Sequence, residues 1–389
     1  MEKSQQRILT THVGSLPRNA RLSELLIAQE QHEKFDAGEL ERETEAAVEH
    51  VVEMQLEAGI DIGNDGEQPR VGFQTYVPQR MKGFGGESHR KRMTDLSEFP
   101  DFARLMAGRM AMTRGAKMTD LPAAIAEVVY QDLSPARKEC ALFDKVTRKA
   151  SKKFTDRFMT AATPGIISTT MLNSFYDTHE RYVMALAEQM RHEYEYIISQ
   201  GLILQLDAPD LAMERSWHFQ EMSLVEFLRV VEMHVTAINH AIRNIARDRV
   251  RLHICWGNYD GPHVHDVPLE SIAPIVFQAK VGGIAIEMAN PRHQHEYKVF
   301  RRHRLPEEMI VIPGVIDSTN NYVEHPETVA DRICAVAEAI GDRTRVIAGC
   351  DCGFATFTGY EMTAESVVWA KFKALAQGAS IATRRLWGV

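Results

Sequence analysis

The chain has 389 residues, 44% of them hydrophobic and 25% charged, with a formal net charge of -8. That length and mix can bury a large core, and the acidic balance gives no general attraction to nucleic acid or anionic membrane. No apolar run approaches the roughly 20 residues of a membrane span, the start MEKSQQRILTTHVG has no signal-peptide core, and five cysteines in so long a chain do not make a disulfide framework; a reduced, cytoplasmic protein is expected.

Short apolar runs recur along the chain: ILTTHVGSLPR (8–18), IDIGND (60–65), GIISTTML (165–172), LILQLDAP (202–209), VRLHICW (250–256), GIAIEMAN (283–290), MIVIPGVID (309–317) and RVIAGCDCG (345–353). Between them lie stretches such as ETEAAVEHVVEMQLEAG and TAESVVWAKFKALAQG, whose apolar residues recur at three and four, the helical period. Strand and helix alternating eight times predict an α/β fold, a (β/α)₈ TIM barrel, as a single unit over residues 1–389. A doubly wound dinucleotide-binding sheet would need a Gly-rich turn after the first strand, and GSLPR is not one. The repeat is interrupted once, which predicts an insertion at residues 69–162 between strands two and three. Its basic runs ESHRKRM and RKASKK read either as a solvated surface or as part of a cap that helps hold an anionic substrate.

In a barrel of this kind chemistry sits where the strands run into their following loops. Every predicted strand end here carries a polar residue: His12 to Ser15, Asp65 to Gln68, Asn173 to Tyr176, Asp207 to Asp210, His253 and Cys255, Glu287 and Asn290, Asp317 to Asn320, and Cys350 to Cys352. His253 and Cys255 are two apart on a strand and so share a face, toward the barrel axis. Imidazole and thiolate are both zinc ligands, although H-x-C is also the pattern of a packed thiol beside a hydrogen-bonded histidine. Glu287, in an otherwise apolar run, would be costly there without a partner, and Cys352 ends the last strand. Together the four supply N, S, O and S for a tetrahedral Zn²⁺ site. Cys350 has the same chemistry as Cys352, and alternation puts both on one face; Cys352 is preferred because Gly353 follows it and lets the backbone turn. Cys140 and Cys334 read as ordinary residues.

The pieces TTHVGSLPR, DGEQ, LQLDAPDL, HIC, IAIE, IPGVID and DCG, in order from about residue 10 to about 353, resemble the catalytic barrel of cobalamin-independent methionine synthases and their short single-barrel relatives, among them epoxyalkane:coenzyme M transferases. The resemblance implies zinc ligands at His253, Cys255, Glu287 and Cys352, and contacts to an amino-acid thiol at Val13, Ser15, Glu67 and Asp207. It implies a zinc-dependent thiol S-alkyltransferase, with methyl transfer from 5-methyltetrahydrofolate or its polyglutamate to homocysteine as the first reading. The alternative is transfer of an epoxide or another methyl donor to a small thiol such as coenzyme M. The expected partners are a small thiol and an alkyl donor, with no nucleic acid and no membrane; a homo-oligomer is left open. Glu67 and Asp207 suit an ammonium, which homocysteine has and coenzyme M lacks.

Two departures from that family bear on mechanism. The family's pterin-stacking Trp is missing from MLNSFYD, where Phe175 or Tyr176 supplies the ring, and its relay His is replaced by Thr319. Two readings of other classes stand beside these: a metal-free decarboxylase-like barrel, which the H-x-C, Glu and Cys set argues against, and a non-catalytic barrel that zinc merely stabilises.

Overall fold

The computed structural model describes residues 1–118 and 121–389. Its strands are β1 (Leu9–Thr10), β2 (Ile62–Gly63), β3 (Met81–Gly85), β4 (Ala123–Tyr130), β5 (Asp156–Ala162), β6 (Ile203–Asp207), β7 (Val250–Ile254), β8 (Gly283–Ile286), β9 (Ile310–Ile316) and β10 (Ile347–Cys350). Eight of them form one sheet in the order β1-β10-β9-β8-β7-β6-β5-β2, every pairing parallel. A parallel bridge between Thr11 and Ile62 joins its two ends, so the sheet closes into the expected (β/α)₈ barrel. The seam is thin in backbone bonds and is reinforced by a side chain. Asp61 Oδ2 accepts from the Thr10 N–H at 2.9 Å and from Arg7 Nη1 at 2.6 Å.

The third barrel strand is a correction to the sequence reading. Residues 165–172 do not form it: Pro164–Thr170 is a helix, and β5 lies inside the stretch assigned to the insertion. A short apolar run does not distinguish strand from helix by period. Here local capping decides: Thr163 accepts from the Ile166 N–H, and Pro164 opens the first turn. The helix is buried all round, which explains its lack of a polar face.

Side chains inside the barrel are layered. The floor is apolar, built from Leu9, Ile62, Phe158, Ile203, Ala285, Ile310, Ile312 and Ile347. Strand β7 contributes Arg251 instead, fully buried, with its guanidinium 3.6 Å from the centre of the Phe158 ring. Above this, the register sets Gln205 beside Arg251 and then Asp207 beside His253. A larger apolar shell, including Phe143, Tyr182, Phe227 and Phe372, packs the helices on the outside of the strands.

The interruption between β2 and β5 contains the antiparallel hairpin β3–β4 and the helices Thr94–Glu98 and Pro100–Ala111. It fastens three loops at the barrel mouth. Thr94 Oγ1 donates to Ser216 O at 3.0 Å in the loop after β6. Asp95 Oδ2 accepts from Tyr259 Oη and the His263 N–H, both at 2.7 Å, in the loop after β7. Ala116 N–H donates to Thr358 O at 2.9 Å in the loop after β10. Its basic runs are largely consumed by ion pairs. Arg90 meets the buried Glu214, Lys91 meets Glu221, Arg148 meets Asp144 and Lys149 meets Glu49. Arg90 and Lys91 thus tie the cap to the loop after β6, whereas Arg148 pairs within its own helix and Lys149 with the helix Ala37–Ala58, and only part of the predicted positive charge is left for an anionic ligand.

Candidate metal centre and active site

His253, Cys255 and Cys352 meet at the mouth of the barrel. One ligand atom of each lies within 4.8 Å of the others, and all three are buried. The geometry follows from the chain: His253 ends β7 pointing inward, Cys255 repeats that direction two residues on, and Cys352 arrives on the turn after β10. Neither ring nitrogen of His253 has a hydrogen-bond partner of normal geometry, although the ring is 2% exposed. A buried imidazole left without a partner at such a position fits a metal ligand. A hydrogen bond from Cys352 holds the Cys255 thiol well below the usual range against the cost of burial, with His253 helping, and the same contact pushes Cys352 up. That shift favours the thiolate, the state in which cysteine binds metal.

Glu287 stands beside this group of three. Its Oε2 accepts from Asn290 Nδ2 at 3.1 Å. Burial pushes its carboxyl well above the usual range, and the charges of Cys255 and Asp351 add to the shift. Asp351, next to Cys352 in sequence, ties the two arms together. Its carboxylate accepts from the Met288, Ala289 and Asn290 N–H groups, each at 2.8 Å, and from Asn290 Nδ2 at 3.0 Å. Gly314 makes room for it, since a Cβ there would lie 2.1 Å from Asp351 Oδ1. Cys350 faces away, and burial and the charge of Glu324 raise its thiol. The register shifts between Gly349 and Cys350 and the strand then ends, so the alternation that put Cys350 and Cys352 on one face does not apply.

Opposite the sulfur cluster is a wall of carboxylates. Asp207 is pushed up to about 7 by burial, which His253 opposes and Glu67 reinforces. Glu67 is also raised by burial, against the pull of Arg70 and Arg18, and its Oε2 has no partner. Asp65 is raised by burial to about 6. Carboxylates pushed up in this way favour a bound cation. Val13 and Ser15 line the same side: Val13 O accepts from Gln205 Nε2, and Ser15 O accepts from the Phe354 N–H at 2.8 Å.

One predicted residue lies elsewhere, and another is at the mouth but engaged locally. Tyr176 follows the helix that replaced the expected strand, and its hydroxyl accepts from the Val128 N–H at 2.8 Å on β4. It stacks on Tyr182 with centroids 5.4 Å apart, so it serves the hairpin's seat. Thr319 does follow β9 at the mouth, but its N–H and its Oγ1 both donate to Asp317 Oδ1 at 2.8 Å.

Sequence reasoning missed the polar layer underneath. Gln205 Nε2 donates to Asp207 Oδ1 at 2.8 Å, while its Oε1 accepts from Arg251 Nε at 2.7 Å. Arg251 also donates to Thr11 Oγ1 at 3.0 Å and His12 O at 2.8 Å. Burial lowers its guanidinium to about 9, and Asp207 opposes the shift. The signal was there: an arginine two residues before His253, in an apolar strand and on the same face.

The profile described as "Cobalamin-independent synthase, Catalytic domain" matches residues 8–98 and 86–371. The chain belongs to that family. Among family relatives, a methionine synthase of Saccharolobus solfataricus is 23% identical over 381 residues, covering 97% of this chain and 95% of its own. One from Sulfolobus acidocaldarius is 24% identical over 331 residues, 85% of this chain and 80% of its own. The fold matches the B12-independent methionine synthase of Shewanella sp. W3-18-1, solved with selenomethionine, at a TM-score of 0.73 and 19% identity, over 98% of this chain and 100% of that one. A putative B12-independent methionine synthase from Listeria monocytogenes matches at 0.65 and 17% identity, over 96% and 98% of the two chains. The family thus accounts for the barrel as a whole.

Proposed function

We propose that this family member is a zinc-dependent methyltransferase that transfers the methyl group on N5 of methyltetrahydrofolate, or of its polyglutamate, to homocysteine, giving methionine. The observation that carries the reading is the group of His253, Cys255 and Cys352, with an orphaned imidazole, facing the carboxylates Glu67 and Asp207. His253, Cys255 and Cys352 would hold the metal, and Glu287 is the adjacent carboxylate able to join them. Bound zinc favours thiolate over thiol near neutral pH. Glu67 and Asp207 hold the substrate ammonium, Gln205 and Arg251 fix the Asp207 carboxylate, and Val13 and Ser15 border the amino-acid end. The chain acts as one barrel, with the segment between β2 and β5 as its cap. Among the described residues no helix is long and apolar enough to cross a membrane, and small molecules are the expected partners.

Glu67→Gln is expected to raise the KM for homocysteine about tenfold or more, with metal content unchanged, because a charge-assisted contact is lost. Wild-type protein that uses amine-free thiols equally well would overturn the reading. The Asp207 carboxyl gives a second test. Burial holds it up to about 7, so its ionisation grows as pH rises through that range. The ammonium needs the ionised form, so the KM for homocysteine falls as pH rises through 7. Substrate thiol ionisation acts in the same direction, and the part due to Asp207 is the part that Asp207→Asn removes. An unchanged pH profile in that variant counts against its role.

The second reading, transfer from an epoxide or another methyl donor, draws on Thr319, whose hydroxyl is bound to Asp317 and stands where the resemblance leads one to expect an imidazole.

A further inference from the structure

Glu67 is one of three non-glycine residues with positive φ, at +55° among the described residues. A left-handed glutamate is strained and persists only where its surroundings over-determine it. Here the Glu67 peptide is held at both ends. Its N–H donates to Asp65 Oδ1 at 2.9 Å. Its carbonyl accepts from Arg18 Nη2 at 2.6 Å and from the Arg70 N–H at 3.0 Å. Arg18 is buried, and its Nη1 donates to Ala355 O at 3.0 Å on the loop after β10. The side chain above this peptide is equally confined. Gly14 leaves the space, since a Cβ there would meet Glu67 Oε1 at 2.4 Å, and Oε2 is buried without a partner.

We propose that Arg18 is a positioning residue for substrate selectivity: its guanidinium pins the Glu67 carbonyl and so keeps the carboxylate set for the ammonium of an amino-acid thiol. The inference rests on the methyltransferase reading above and assigns the device behind it. The left-handed turn aims the carboxylate and Arg18 holds the turn, while Gly14 gives it the room. Arg18 does not touch the substrate; it acts through Glu67. The fork of the guanidinium suits this task, because one donor holds Glu67 and the other anchors to the opposite loop.

The test is calorimetric binding to the zinc-loaded protein of two thiols that differ only in the amine, homocysteine and 4-mercaptobutyrate. Arg18→Met is expected to weaken homocysteine about tenfold or more and to leave 4-mercaptobutyrate unchanged. In a Glu67→Gln background, Arg18→Met should add nothing for homocysteine, because the two residues act as one unit. Arg18→Lys keeps one donor and should fall between, and it reads the same ratio if Arg18→Met does not fold. Equal loss for both thiols, no loss for either, or additive losses in the double variant would overturn the assignment. A wild type that binds the two thiols equally would instead overturn the ammonium reading on which it stands.

Discussion

Replacing Cys352 with serine is expected to strip most of the metal from the protein, while Cys350→Ser leaves metal content near that of the wild type. The Cys352 ligand atom lies within 4.8 Å of those of His253 and Cys255, and a serine hydroxyl, which stays protonated near neutral pH, is a far poorer zinc ligand than a thiolate. Loss of an outer partner of a ligand costs about 10- to 100-fold in metal affinity, and loss of a ligand should exceed that. Cys350 lies on the other side of the backbone, near Glu324 and Lys371. Its replacement should cost about 1 kcal/mol in stability, as a buried polar change with partners nearby. Elemental analysis after dialysis, with chelator competition for the affinities, separates the two. Loss of metal in Cys350→Ser with retention in Cys352→Ser would reverse the assignment.

The second large effect concerns Thr319→His. Methyl transfer from N5 of a folate forms one carbon–sulfur bond, breaks one carbon–nitrogen bond and leaves N5 in need of a proton. A positioned general acid is worth about 10²–10⁴ in such a step. A hydroxyl does not titrate near neutral pH, and that of Thr319 is already donating to Asp317 Oδ1. An imidazole at this position keeps the backbone N–H bond to Asp317 and gains a carboxylate beside the ring, which raises its basicity. We therefore expect slow turnover of methyltetrahydrofolate by the wild type and a rise of about 100-fold in Thr319→His, with the KM for homocysteine unchanged. Fast wild-type turnover that the substitution does not alter would show that the proton arrives by another route.

The repeat of strands and helices was legible because period and strand-end chemistry are local properties. So was the inward pairing of His253 and Cys255, which needs only alternation along one strand. The third strand was misplaced for an equally local reason. GIISTTML and DRFMTAA are both short apolar-rich runs, and the difference lies in the Thr163 cap and in the parallel pairing of β5 with β6. The same gap explains the competition between Cys350 and Cys352, since alternation stops where the strand stops. Tyr176 followed the misplaced strand and packs beside the hairpin β3–β4. Arg251 and Gln205 were passed over because buried polar layers beneath a site look, in sequence, like interruptions of an apolar strand. The ion pairs of Arg90 and Lys91 were invisible because Glu214 and Glu221 lie more than a hundred residues away.

The thin seam between β1 and β2 divides the molecule in a way that bears on release. The amino-acid wall straddles it, with Val13 and Ser15 following one strand and Glu67 following the other, whereas the three sulfur and nitrogen ligands hang from β7 and β10. Local opening is easiest where few backbone bonds must break at once. Amides of residues 10–12 and 61–63 should therefore exchange with solvent sooner than those of β5 to β8, whose ladders are longer. Breathing at that seam would loosen the grip on an ammonium while His253, Cys255 and Cys352 stay in place, so that on the proposed reading the barrel could release its product and keep its metal.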